Sequence, residues 1–184
     1  MASPTDDAPV APITPPPALV VMGAAGAGKS RIGNALASAL QRPFIEGDAF
    51  HPPENIALMA AGTPLTDADR QGWLEALAHE LQAARDAPRG VVLACSALRQ
   101  RYRDLLRAGD PSARFIFLTT NADVLRERLA ARSGHYMPAS LVDSQLEALE
   151  PPGADERAWT FDARLPPDDI VRDVLHRLRQ EGDA

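Results

Sequence analysis

The nineteen lysine and arginine residues of this 184-residue chain include one lysine, Lys29. It lies in Gly23-Ala24-Ala25-Gly26-Ala27-Gly28-Lys29-Ser30, which completes the pattern G-x-x-x-x-G-K-[ST]. Glycines at Gly23 and Gly28 allow backbone angles that strain other residues, so the N–H groups of the loop can converge on phosphate oxygens. An ammonium on a flexible stem can fold over such a loop and reach the outer phosphates, where a planar guanidinium is too bulky. The Ser30 hydroxyl is a natural ligand for Mg²⁺. These residues predict a bound nucleoside triphosphate, against the competing reading of a glycine-rich turn that matches by chance.

A second group of chemical residues follows at Glu46-Gly47-Asp48. It comes just after an apolar run, where the carboxyl ends of strands form the ligand crevice of an open parallel sheet. Asp48 can accept a proton from an attacking hydroxyl, and Glu46 can hold a water of Mg²⁺ beside Ser30. Turn carboxylates facing water are the plainer reading of the same pair. Two other kinds of phosphate-loop protein fit less well. A guanine-reading Asn-Lys-x-Asp segment needs a second lysine. A motor-type ATPase would end a buried strand in Asp, whereas Val91-Val-Leu-Ala-Cys95 runs into Ser96.

The elements that must position these groups are legible as patterns. Apolar runs at Ala18–Met22, Pro43–Glu46, Gly90–Cys95, Arg114–Thr119 and Ala158–Asp162 read as strands, most of them covered on both faces. Helical patterns separate them, which predicts an α/β fold with a parallel sheet. Ile32, Ala35, Leu36, Ala39 and Leu40 recur at helical spacing, so Lys29 and Ser30 fall on a first helical turn that aims its amino end at the phosphates. A short helix is expected from Pro53 to Ala61, closed by Gly62. A long one is expected after Thr66, where Thr66 and Asp69 form a capping box and Trp73, Leu74, Leu77 and Leu81 share the inner face. Asn121 caps a helix over 122–132, and a last helix covers 168–179.

Composition narrows the partners. A net charge of −6 excludes a broad nucleic-acid surface, which needs a basic excess. No apolar run approaches the roughly 18 residues of a membrane helix. A single cysteine, Cys95, excludes an internal disulfide and reads as an inert packing thiol at a strand end. No signal-like start is present, so the expected address is the cytoplasm. Residues 1–17 are proline-rich and read as a disordered leader before a single domain over 18–184.

The segments GAAGAGKS, EGDAFHPPENIALMAAGTPLTDADR, CSALRQRYRDLLR and RLAARSGHYMPASLVDSQLEALEPPGADE, in that order, resemble the gluconokinase family of small kinases. The phosphate loop alone marks only a superfamily; His-Pro-x-x-Asn-Ile-x-x-Met, Pro-Leu-x-Asp-x-Asp-Arg and Cys-Ser-Ala-Leu are more discriminating. The resemblance implies a three-layer P-loop kinase fold like that of shikimate kinases, with a five-stranded parallel sheet flanked by helices. It further implies a helical substrate-binding segment at about 48–72 and a closing lid at about 128–140. Its activity would be ATP- and Mg²⁺-dependent phosphorylation of D-gluconate at the 6-hydroxyl, in a homodimer.

On this resemblance Gly23 to Ser30 hold ATP, and Asp48 receives or orients the acceptor hydroxyl. His51 and Arg70 lie in the substrate segment. Arg70 and Arg103 are the candidates for gripping the gluconate carboxylate through paired hydrogen bonds, with surface salt bridges as their plainer reading. Arg128 and Arg132 share a helix face, so a lid carrying them can fold over the β- and γ-phosphates. His135 is expected to be a hydrogen-bond donor of that lid. The family has lysine where this chain has Arg99. Still open at this point are a related kinase acting on shikimate, a nucleoside monophosphate or another polyol acid, and a non-catalytic ATP sensor.

Overall fold

The five apolar runs become five strands: β1 (Leu19–Met22), β2 (Phe44–Glu46), β3 (Val92–Ala94), β4 (Arg114–Thr119) and β5 (Ala158–Asp162). All pair in parallel, in the order β2-β3-β1-β4-β5. Seven helices accompany them in the computed structural model, which describes residues 16–131 and 141–182. They are α1 (Lys29–Leu40), α2 (Pro53–Ala60), α3 (Asp67–Arg85), α4 (Gln100–Gly109), α5 (Ala122–Ala130), α6 (Leu141–Ala148) and α7 (Pro167–Glu181). Most of the expected leader, and most of the expected lid including Arg132 and His135, lie outside the described residues.

Continuous apolar sequence in a central strand means cover on both faces, and β1 shows it. Leu19 and Val21 face a core built with Ile32 and Leu36 of α1, Leu125 of α5 and Val174 of α7. Val20 and Met22 face the opposite core, with Leu74, Leu77 and Leu81 of α3 and Leu106 of α4. The result is the expected three-layer α/β arrangement. Its anchors extend to the first described residues, since the Pro17 carbonyl accepts a hydrogen bond from Arg42 at 3.0 Å.

The helix signals resolve at atomic level. Thr66 accepts from Asp69 N while the Asp69 carboxylate accepts from Thr66 N, the reciprocal cap predicted for α3. Asn121 accepts from Val124 N at the start of α5. Helix α1 begins differently: its cap position, Gly28, has φ 97° and supplies no side chain, so the first-turn N–H groups are not capped by a side chain. Helices α4 and α6 were not anticipated from the sequence.

A buried ion pair locks α4 to the chain entering β5. Arg103, whose side chain is 0% exposed, donates through Nε to Glu156 Oε2 at 2.5 Å and through Nη2 to Oε1 at 2.8 Å. Its Nη1 donates to the carbonyls of Ala97 and Leu98 at 3.1 and 3.2 Å. Ala97 holds φ 45°, a left-handed conformation that costs a non-glycine residue about 1–3 kcal/mol. The Arg103 bonds therefore fix the turn that carries the chain from β3 past the crevice.

Glu156→Gln should destabilise the fold by about 3–5 kcal/mol in urea unfolding, because a buried guanidinium loses its counter-charge. Stability should also depend on pH in a definite direction. Hydrogen bonds from Arg103 above all hold the Glu156 carboxyl at about 2, below its ordinary 4.5. The native state therefore gains from the ionised form above the ordinary value and loses that gain as pH falls from about 4.5 toward 2. The Glu156→Gln variant should show a flatter decline over that interval.

Candidate active site

One crevice at the carboxyl ends of the strands, about 400 Å³ in volume, brings the two chemical groups of the sequence together. Ala25, Gly26, Gly28, Lys29 and Ser30 line one wall. Glu46, Asp48, His51 and Arg70 line another stretch of the crevice.

The first wall is a strand-loop-helix unit. Gly23 leaves β1 with φ 142°, and a Cβ there would sit 2.5 Å from the Leu118 carbonyl oxygen, so only glycine fits the turn. The Lys29 ammonium folds back across the loop and donates to the Ala24 carbonyl at 3.2 Å. Ala27 N donates to the same carbonyl at 3.1 Å, closing the loop upon itself. Ser30 is exposed at the start of α1.

The second stretch of the lining is set by a close backbone approach. A Cβ on Gly47 would lie 2.4 Å from the Ala94 carbonyl, so glycine lets the chain leave β2 against β3 and enter a 3-10 turn over Gly47–Phe50. Asp48 stands on that turn. Trp73 of α3 pins it, donating from Nε1 to the Gly47 carbonyl at 2.7 Å. The Trp73 ring also stacks on His51, with centroids 4.1 Å apart and planes 17° from parallel. Burial lowers the His51 pKa below its usual value; Asp48 pulls it up and Arg70 adds to the lowering.

Arg70 is steered toward the crevice from behind. Its Nη1 donates to the carbonyls of Leu65 and Thr66, and the guanidinium carbon lies 5.7 Å from the centre of the Tyr102 ring. Tyr102 donates in turn to Asp67, which also receives Arg99 at 3.0 Å and pairs with Arg101. Arg99 is thus engaged with the protein.

Two expected site residues stand elsewhere. Arg103 does not line the crevice: it is buried against Glu156, as described above, so the expectation that it grips a substrate carboxylate is corrected to a bracing role. Arg128 lies on the far side of the phosphate loop, donating to Ala163 O at 2.7 Å and Gly26 O at 3.5 Å. There it lines a second cavity of about 400 Å³ shared with Gly26, Gly28, Arg164 and Pro166. Cys95 is fully buried and its thiol is pushed up to about 12 by burial, as an inert packing group should be.

Three site residues escaped the sequence reading. Trp73 reads in sequence only as a core residue. Asn55 is buried on α2 and reaches His51. Gln145 of α6 accepts from the phosphate-loop amide of Ala25 at 2.7 Å across 120 residues of sequence. Only the last pairing ties the helix following the expected lid to the loop, and no local pattern announces it.

No group of three or more His, Cys, Asp or Glu among the described residues forms a metal cage. The hydroxyl of Ser30 and the carboxylate of Glu46, both lining the crevice, are hard oxygen donors of the kind Mg²⁺ takes when phosphates complete its shell.

The shikimate kinase family model matches residues 25–162. A gluconokinase of Gluconobacter oxydans is 44% identical over 89% of this chain and 92% of its own. The crystal structure of a gluconokinase from Sinorhizobium meliloti superposes with a TM-score of 0.80 at 47% identity, over 90% of this chain and 93% of that one. An unliganded sugar kinase from Janibacter gives a TM-score of 0.85 at 45% identity, covering 90% of this chain and 95% of its own.

Proposed function

Because the chain belongs to the gluconokinase family within the shikimate-kinase-like group, we propose that it transfers the γ-phosphoryl group of ATP to the 6-hydroxyl of D-gluconate. The observation that carries this reading is the shared crevice, which Lys29 and Ser30 line together with Asp48, His51 and Arg70.

The triphosphate lies along the amino end of α1, whose first-turn N–H groups and dipole favour negative charge. Lys29 leaves the Ala24 carbonyl for the outer phosphates and stabilises charge as it develops. The nucleoside extends past Gly26 and Gly28 into the second cavity, beside Arg128 and Arg164. Ser30 and Glu46 would hold Mg²⁺, which would supply neutralisation of phosphate charge.

Elsewhere in the crevice Arg70 receives the carboxylate end of the sugar acid, a fit for a planar guanidinium. Asp48 orients the 6-hydroxyl in line with the γ-phosphorus and accepts its proton as the bond to phosphorus forms. The family resemblance also implies a lid carrying Arg132 and His135, residues that lie outside those the structure describes. The family reading carries with it a homodimer and a cytoplasmic address; no helix among the described residues is long and apolar enough to cross a membrane.

Measuring kcat/KM by coupled ADP release across D-gluconate, shikimate and nucleoside monophosphates tests the acceptor. Gluconate should exceed the others by about 10³-fold or more, since acceptors lacking the matching hydrogen-bond pattern leave buried polar groups unpaired. Turnover with shikimate and not gluconate would refute the proposal. ATP binding without transfer to any acceptor would instead indicate a sensor.

A further inference from the structure

We infer that Asn55 is a positioning residue that holds His51 in the tautomer protonated at Nε2, so that a neutral N–H donor faces the hydroxyls of the phosphoryl acceptor. The inference rests on reading the crevice as the acceptor site. Asn55 is only 4% exposed, and its amide nitrogen donates to the Asp69 carbonyl at 2.8 Å. A backbone carbonyl can only accept, so this bond fixes which end of the amide is nitrogen. The same nitrogen lies 3.5 Å from His51 Nδ1. A donor placed there requires Nδ1 to be the acceptor and leaves the ring proton on Nε2.

The surroundings favour a neutral ring. Trp73 covers one face of His51, burial lowers its pKa, and Arg70 acts in the same direction against the pull of Asp48. Among the described residues Nε2 has no hydrogen-bond partner, and it is not sealed inside the protein. It is therefore placed to donate to an oxygen in the crevice that His51 lines. Neutrality also protects the chemistry: an imidazolium beside Asp48 would pair with that carboxylate and draw it from the acceptor hydroxyl. A polyol rich in hydroxyl lone pairs suits one neutral donor, while Arg70 is reserved for the charged end.

Long-range ¹H–¹⁵N correlation spectra of the labelled full chain test the tautomer directly. The four histidines of the sequence are separable because the His51 signals vanish in His51→Gln. The wild type should show His51 protonated at Nε2 near neutral pH. In Asn55→Ala the ring should populate both tautomers, and KM for gluconate should rise by about 3–10-fold, the worth of one hydrogen bond, with KM for ATP within about twofold. His51→Gln, which keeps an N–H near the Nε2 position, should retain gluconate affinity that His51→Leu loses. An Nδ1-protonated or cationic ring in the wild type, equal rises in both KM values, or no advantage of Gln over Leu would overturn the inference. The wild-type spectrum needs no variant to fold. The expected tautomer without gluconate turnover would refute the function alone, and normal turnover with the wrong tautomer would refute this assignment alone.

Discussion

Asp48→Asn is expected to lower kcat for gluconate phosphorylation by about 10²–10⁴-fold, the usual worth of a positioned general base. ATP affinity should change by less than about twofold, because Asp48 belongs to the turn after β2 and not to the phosphate loop. The substitution is nearly isosteric, and the turn carrying the residue is held by other groups: Gly47 packed against Ala94, and Trp73 bonded to the Gly47 carbonyl at 2.7 Å. An amide at this position can still touch the hydroxyl but cannot take its proton. Steady-state kinetics with a parallel ATP titration separates the two effects. Unchanged turnover would remove Asp48 from the reaction.

Lys29→Arg should be nearly as damaging, with a loss of about 10²–10³-fold in kcat, comparable to removing one preorganised group that stabilises transition-state charge. Charge survives this change while shape does not. In the free structure Nζ already folds back over the loop to the Ala24 carbonyl at 3.2 Å, a path suited to a narrow ammonium. A guanidinium is wider and carries its donors in a fixed plane, so it cannot follow the γ-phosphoryl group between loop and acceptor. Rapid-mix single-turnover measurements should locate the loss in the transfer step. Near-normal transfer would mean that the chain's one lysine has no special place here.

What the sequence disclosed, and what it hid, follows from the range of the interactions involved. The central strands β1, β3 and β4 appeared as apolar runs because they are covered on both faces, while the edge strands β2 and β5 are only partly buried. The α3 start appeared because Thr66 and Asp69 are three residues apart. The donor wall was equally local, being one loop and one helical turn. Arg103 was misplaced for the opposite reason. Its partner, Glu156, lies 53 residues away, and a guanidinium destined for a buried carboxylate looks in sequence like one destined for a ligand.

The same range explains the missed residues. Gln145 meets Ala25 only after α6 has been packed, and Asn55 meets Asp69 only after α2 and α3 have been set side by side. Segments that resemble the family therefore serve two ends. Pro64-Leu-Thr-Asp-Ala-Asp-Arg70 supplies a helix cap, a Tyr102 anchor and one crevice cation within seven residues. Cys95-Ser-Ala-Leu98 shapes the crevice through a turn that Arg103 holds from behind.

Above all, the phosphoryl group should cross this crevice from ATP to a sugar acid. Phosphorus NMR of the purified chain with ATP, Mg²⁺ and D-gluconate tests it most directly, by following ATP, ADP and the new phosphoester in one sample. One 6-phosphogluconate should form for each ADP, with no release of inorganic phosphate beyond the gluconate-free control. ADP accompanied by inorganic phosphate alone, or a phosphoester formed on shikimate while gluconate stays untouched, would contradict it.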